Sequence, residues 1–462
     1  MFRLVQGTDR FLTRHFTRPS ITWQQSWAVL LPLVAEQIFT VLFGLINTGM
    51  ISSSGVTSLS AVSLVDSLNQ FLFVFYLGIA TGASVVVANY RGNGDEKKLH
   101  EATIQAVSSV TLFTLVTALL MIVFHQPLLR LLFDAVEPEI MQKAKLYMLG
   151  CAITLPLLGV THSVCAVLRG IGEGKTSLAF TVFSTLVYVA LNLLFLTVLN
   201  MGIPGLILSI TLNRVLNILI LLWLLKRSHS QFRFQLKEFF HIDWKMLRSI
   251  FNVGFPCATE QLFFTGGRLV TQTIITPMGT DAIVIYNISY AIMTLNQVLS
   301  IPTNTSLFTI CGICMGSGRP QDVRDLTKSY VWLNNIVYVG VSVLTVLLFP
   351  LLVTFYNAPP ETIDMIYTCA LITAVAHPII HSAGFTFPSV FRAVGDGVYC
   401  TISTLVIMWL VRVFGGYVLG TLLCMGVMGV WWAMILDWLV RAILFPIRFK
   451  GDKWLRQKVL AE

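Results

Sequence analysis

Apolar residues in this chain fall into long runs separated by short polar clusters. Twelve runs can be marked, at roughly 26–51, 61–90, 104–124, 146–168, 176–199, 203–225, 250–276, 284–314, 329–354, 363–391, 398–422 and 426–447. A run of about 20 apolar residues suits a helix crossing a bilayer, where every backbone amide must be bonded within its own segment. The runs take up most of the 462 residues, which leaves no soluble domain to assign. The pattern predicts an all-α polytopic membrane protein.

The runs form two copies of one pattern. Pro32-x-x-x-Glu36-Gln37-x-Phe39 returns 224 residues later as Pro256-x-x-x-Glu260-Gln261-x-Phe263, and Gly92-Asn93-Gly94 returns as Gly316-Ser317-Gly318. Leu168-Arg169-Gly170-Ile171-Gly172 returns as Phe391-Arg392-Ala393-Val394-Gly395, and Gly202-x-x-Gly205 as Gly426-x-x-Gly429. Twelve transmembrane helices in two six-helix bundles related by pseudo-two-fold symmetry follow, the axis running along the membrane normal as for parallel repeats. The expected divisions are a cytoplasmic arm 1–25, an N-lobe 26–225, a linker 226–249, a C-lobe 250–447 and a tail 448–462. The linker mixes charges with Phe232, Phe234, Phe239, Phe240 and Trp244, a composition suited to the inner membrane surface. The loop Gln126–Ala144 reads as a short interfacial connector on the outer face.

Composition strengthens this picture. Hydrophobic residues make up 55% and charged residues 11%, with a mean hydropathy of +0.77, too apolar for a soluble domain. The net charge of +9 is a topology signal. Of the 31 lysines and arginines, 24 lie in the arm, the loops after predicted helices 2, 4, 8 and 10, the linker and the tail. The positive-inside rule then puts both termini in the cytoplasm. The distribution argues against nucleic acid as a partner; the lipid bilayer and a small molecule are the expected ones. No cleavable signal peptide is visible.

Two local motifs invite chemistry they do not support. Cys311-x-x-Cys314 lies inside predicted helix 8 with no second pair, so its thiols read as small buried apolar groups and not as a metal site. Gly170-Ile171-Gly172-Glu173-Gly174-Lys175-Thr176 ends like a phosphate loop, but a membrane helix precedes it where a nucleotide cradle needs a strand. The glycines are read as helix stops.

Taken in order and in duplicate, these motifs resemble the multidrug and toxic compound extrusion (MATE) transporters along the whole chain. The resemblance rests on Pro32, the turn at Gly92–Asp95, Leu168–Gly172, Gly254-Phe255-Pro256, Phe391-Arg392-x-x-Gly395-Asp396 and the Gly-x-x-Gly starts of helices 6 and 12. It implies a monomeric secondary exporter of cationic or amphipathic compounds in a bacterial inner membrane. Such a protein is an antiporter and not an enzyme, driven by Na⁺ or H⁺ without a further cofactor, with two lobes that alternate access. A lipid-linked precursor flippase of the same superfamily and a dedicated metabolite exporter are the alternatives. Few intramembrane lysines or arginines speak against the flippase.

Ionisable groups at bilayer depth cost several kcal/mol and each needs a reason. Glu36, its twin Glu260, and Asp66 are the candidates for holding the coupling ion. The resemblance points to Glu260, because relatives carry an acid in helix 7, and Glu260→Gln is then expected to abolish gradient-driven efflux. The family's aspartate fifteen residues after the helix 1 proline is Asn47 here, which cannot exchange a proton but can offer a carbonyl to Na⁺. Asp437 and Arg441, four apart on one helical face, read as a structural pair that Arg412 can join. His377 and His381 lack a third ligand and read as an interior pair. Phe43, Asn47, Tyr76, Phe264, Tyr290, Met293 and Asn296 are the expected lining of a substrate cavity.

Overall fold

The computed structural model describes residues 12–52, 56–133, 137–227 and 243–456. In the first half, α1 is Trp23–Ser52, α2 Val56–Asn93, α3 Glu96–Phe133, α4 Pro138–Gly170, α5 Gly174–Asn192 and α6 Gly202–Arg227. In the second, α7 is Trp244–Ile275, and α8 comes in two pieces, Thr280–Gln297 and Ser300–Gly316, bent by 43°. Then follow α9 Pro320–Leu347, α10 within Pro360–Ala393, α11 within Gly397–Leu422 and α12 Gly426–Lys450. Ten of these are long and apolar enough to cross a bilayer, and the bent pair makes eleven. Helix α7 is as long, but Glu260, Gln261 and Arg268 make it more polar. It completes the twelve.

Several helices outrun the apolar stretches that announce them. Helices α2 and α3 have 38 residues each, about 57 Å at 1.5 Å per residue and well beyond a hydrocarbon core of about 30 Å. The outer connector is correspondingly short, since α3 continues through Pro127 to Phe133 and α4 begins at Pro138. Many large apolar side chains are exposed, among them Val123, Leu347, Leu351, Phe355 and Ile379. That much bare hydrocarbon fits lipid and not water.

The duplication extends to backbone conformation. Left-handed glycines sit at Gly94 and Gly318, at Gly172 and Gly395, and at Gly202 and Gly426, with φ from 59° to 93°. Each pair ends or begins the same helix in its own half, and Asn200 and Cys424 match in the same way, at φ 49° and 54°. A side chain at these glycines would be strained, which is why the helix-stop positions recur as glycine.

The chain divides into two compact units, residues 31–258 and residues 1–30 with 259–459. The divisions fall inside α1 and α7 and not in the linker, most of which (228–242) lies outside the described residues. In the first unit, Gly78 and Gly82 of α2 meet Gly254 and Ala258 of α7. A Cβ added at Gly82 would lie 2.5 Å from the Gly254 nitrogen and the Ile250 oxygen, and one at Gly78 would lie 2.6 Å from the Ala258 Cβ. Small residues four apart on both helices let the two backbones touch, which ties the start of α7 to α2. Gly82→Ala must push backbone, so it is expected to lower stability by about 1–3 kcal/mol. Gly340, in mid-α9 with nothing within 4 Å, is the control: Gly340→Ala should gain about 0.5–1 kcal/mol from helix propensity. Thermal unfolding in detergent checks both.

In the second unit, the N-terminal residues are pinned to the start of α9. The Ser20 hydroxyl and amide donate to Asp322, Arg18 pairs with Asp325 at 3.6 Å, and the Ser329 hydroxyl donates to the His15 carbonyl at 2.6 Å. Phe16 is buried against Trp27 and Tyr330. Arg448 grips Asp396 with two nitrogens at 3.0–3.1 Å. Burial pushes the Asp396 carboxyl above its ordinary value against the pull of Arg448, so ionising it costs stability as pH rises through that value.

The core of this unit packs Trp431 and Trp438 against Tyr286, Met293, Ile366 and Cys369. Cys311 and Cys314 are both fully buried, as thiols used for packing should be.

Candidate functional site

Five helices of the first unit each turn a polar or aromatic stripe inward at helical spacing. On α2 the stripe is Asp66, Asn69, Phe73 and Tyr76; on α5 it is Thr181, Ser184 and Tyr188; on α6 it is Asn213, Arg214 and Asn217. Helix α1 adds Glu36 and Thr40, and α4 adds Tyr147, His162 and Arg169. Residues three and four apart share one helical face, so the stripes converge on a cavity of about 580 Å³. That volume lies within the usual range for small-molecule sites.

The cavity holds two carboxylates and two guanidiniums, and they are not equivalent. Glu36 is already engaged. Its Oε1 lies 3.5 Å from the Arg169 guanidinium and accepts from the Thr181 hydroxyl at 3.2 Å, while Oε2 is buried without a hydrogen-bond partner. Asp66 accepts from the Tyr147 hydroxyl at 3.1 Å and the Asn69 amide at 3.4 Å. Arg214 donates from Nη1 to the Thr154 hydroxyl at 2.5 Å and to the Cys151 carbonyl at 3.2 Å. Among the described residues, no ion pair includes Asp66 or Arg214. Phe73, Tyr76 and His162 make an aromatic wall, with ring centroids 5.0–5.8 Å apart.

The second unit repeats the glutamate–arginine contact. Glu260 Oε2 lies 3.0 Å from Arg392, and Cys400 Sγ is 3.8 Å from the same oxygen. Arg169 and Arg392 were read from sequence as topology markers at helix ends; they are also the partners of the two repeated glutamates. Elsewhere the second copy differs. The positions of Asp66, Asn69 and Arg214 are taken by Tyr290, Met293 and Trp438.

The remaining expected residues are dispersed. Tyr76 lines the cavity, while Phe43 stacks on Phe39 at 5.9 Å away from it, and the side chain of Asn47 lies outside those described. In the second unit, Arg412 lies over the Phe264 ring at 5.4 Å and Arg268 over Tyr290 at 4.6 Å. Met293 and Asn296 are buried there, and the Asn296 carbonyl accepts from Thr345 at 2.5 Å. They pack the interior and do not line the cavity.

Asp437 and Arg441 form the expected pair, with nitrogens at 3.0–3.1 Å and both residues buried. Arg412 does not join it by an ion pair: the face of Phe264 takes its guanidinium, and its Nε and Nη2 are buried without hydrogen-bond partners. His381 bonds to the Tyr338 hydroxyl at 2.8 Å and to Gln297 at 3.2 Å. His377 is stacked between Tyr338 and Trp438, at 4.9 and 5.0 Å.

Sequence reasoning missed Arg214, Phe73 and His162 as cavity residues. The available signal was the recurrence of polar residues at three- and four-residue spacing within apolar runs.

Comparison with known proteins agrees with this architecture. The MatE family model matches residues 32–194 and again 256–418, the two halves of the duplication. The chain is 24% identical to an uncharacterised transporter, YisQ, of Bacillus subtilis, over 96% of this chain and 95% of that one. It is also 24% identical to a probable multidrug resistance protein, NorM, of Thermotoga maritima, over 93% and 92%. Among solved structures, an outward-facing MATE family transporter of the MOP superfamily superposes with a TM-score of 0.84 at 18% identity, covering 93% of this chain and 96% of that one. A MOP superfamily transporter of Pyrococcus furiosus, described as having a binding pocket of reversed polarity, superposes at 0.82 and 17% identity, over 96% and 97%.

Proposed function

Because the chain belongs to the MATE family of transporters, we propose that it is a secondary exporter of small amphipathic molecules. It works as a monomer in a bacterial inner membrane with both termini cytoplasmic, and exchanges its substrate for Na⁺ or H⁺ by alternating access. The cavity of the first unit is the chamber, and Asp66 carries the coupling ion.

One observation carries this assignment. Asp66 is the carboxylate that lines the cavity with neutral partners only. Glu36 and Glu260 each already face an arginine, so loading an ion there must first break an ion pair. At Asp66 an incoming proton neutralises the charge directly, while Na⁺ would find oxygens of the carboxylate, Tyr147 and the neighbouring amides. A cationic group on the substrate competes for the same carboxylate. Ion binding then expels cargo, and cargo binding expels the ion, which is the exchange an antiporter needs.

This moves the coupling role from Glu260 to Asp66. Glu260→Gln is now expected to cost about 1–3 kcal/mol of stability through the loss of a charged hydrogen bond, while the efflux that remains still follows the ion gradient. Gradient-independent efflux in that variant would return the role to Glu260.

The function is tested by uptake of a fluorescent organic cation into inverted membrane vesicles, whose lumen corresponds to the outside of the cell, under a sodium gradient, a proton gradient, or ATP alone. One of the two gradients should drive uptake. ATP-driven movement with both gradients collapsed, or none under any condition, would refute the reading. Movement of a lipid-linked precursor in place of the dye would favour the flippase.

A further inference from the structure

Asp66 and Arg214 are two opposite charges in one cavity, each without an ionic partner among the described residues. Both line the space, and Arg214 is close enough for its charge to act on Asp66 and Tyr76, yet no ion pair joins the two residues. The other acid and guanidinium of the cavity pair with each other, as Glu36 and Arg169. What remains for a ligand is one carboxylate and one guanidinium. Arg214 uses Nη1 on Thr154 and Cys151, and its other donors have no protein acceptor among the described residues. A guanidinium at bilayer depth without a counter-charge is expensive, and something must compensate it during the cycle.

The duplicated half shows that the repeat itself does not require these charges. The twin of Asp66 is Tyr290, and the twin of Arg214 is Trp438, buried in the second unit's core. In that half, Asp437 and Arg441 neutralise each other on α12. Their twins on α6 are the neutral Asn213 and Asn217, so Arg214 has no acid on its own helix. The dipolar lining is particular to the cavity-bearing unit. Phe73, Tyr76 and His162 wall it with flat aromatic surface, and the volume accommodates one or two rings.

We propose that the preferred substrate is an aromatic zwitterion, its amine bound by Asp66 and its carboxylate, or an equivalent anionic group, by Arg214. The proposal rests on the reading of this cavity as the transport chamber. It makes Arg214 a specificity-determining residue. Arginine suits the role because its planar fork can take both oxygens of a carboxylate.

The test uses the purified full-length protein and a fluorescent coumarin bearing one alkylamine and one carboxylate. Its methyl ester, a cation, and its N-acetyl derivative, an anion, serve as comparisons. Equilibrium binding is read by fluorescence, so the result does not depend on ion-driven transport. The wild type should bind the zwitterion at least tenfold more tightly than either derivative. Arg214→Gln should erase the preference over the ester, and Arg214→Lys should restore part of it. Equal affinities for zwitterion and ester in the wild type would overturn the proposal even if no variant could be purified. So would a Gln variant that weakens both alike. Loss of gradient-driven efflux alongside an intact zwitterion preference would instead count against the exchange mechanism and leave this specificity standing.

Discussion

Asp66→Asn should reduce gradient-driven efflux to the level of empty vesicles while leaving the protein folded. Asparagine matches aspartate in shape and can still accept from the Tyr147 hydroxyl, which lies 3.1 Å from Asp66 Oδ1. It cannot take up a proton at ordinary pH, and it offers Na⁺ a neutral oxygen in place of an anion. The loss is therefore of ion exchange and not of architecture. Transport assays in proteoliposomes, with thermal unfolding of the same preparation as the folding check, separate the two. A variant that unfolds early would say only that Asp66 holds helices together. A stable variant that still exports along the ion gradient would remove Asp66 from the mechanism.

The second large effect is expected in stability. Asp437→Asn leaves the Arg441 guanidinium without its anion in an interior where both residues are at most 1% exposed. Removing one member of a buried pair typically costs about 3–5 kcal/mol, since the remaining charge stays desolvated. Arg441 also donates to the Thr404 carbonyl at 3.3 Å and lies over the Phe385 ring at 5.3 Å, contacts that do not replace an anion. Replacing both members, as Asp437→Leu with Arg441→Met, should cost clearly less than the single change. Unfolding temperatures of the wild type and the variants check this. If the double variant were as unstable as the single one, the charge argument would fail and packing alone would account for the loss.

The fold was readable from sequence because a bilayer leaves few choices. Apolar runs of spanning length must be helices, and the repeated glycines marked their ends at positions where the backbone is left-handed. The matching Pro-x-x-x-Glu-Gln motifs exposed the duplication and placed Glu36 and Glu260 at equivalent points. Helix ends beyond the lipid were not readable, since polar continuations such as Glu96–His100 of α3 and Lys245–Arg248 of α7 look like loop. Nor was the division into compact units. It depends on Gly78, Gly82, Gly254 and Ala258 bringing α2 and α7 into contact, and small residues scattered in sequence do not announce which helices they join.

The site was legible in its residue types and not in its grouping. Glu36, Asp66 and Tyr76 were singled out, and all three line the cavity. Met293 and Asn296 carry equally suitable side chains but face the interior of the other unit. The difference lies in what stands opposite them, Thr345 for Asn296 and the tryptophan core for Met293, which a single chain reading cannot supply. In the sequence Arg214 is one cation within an apolar run, with no motif to mark it. Its importance appears only once Glu36 and Arg169 are found paired, which leaves Asp66 as the other acid of the same cavity.

The most direct measurement is of ion movement driven by cargo. Purified protein in vesicles with no imposed gradient, loaded with a proton- or sodium-sensitive dye, is given substrate on one side only. The exchange account predicts that substrate entering the chamber drives one of the two ions the opposite way in the wild type, and that Asp66→Asn shows no such movement. Substrate crossing without any counter-movement of either ion, or a counter-movement unchanged in Asp66→Asn, would contradict it.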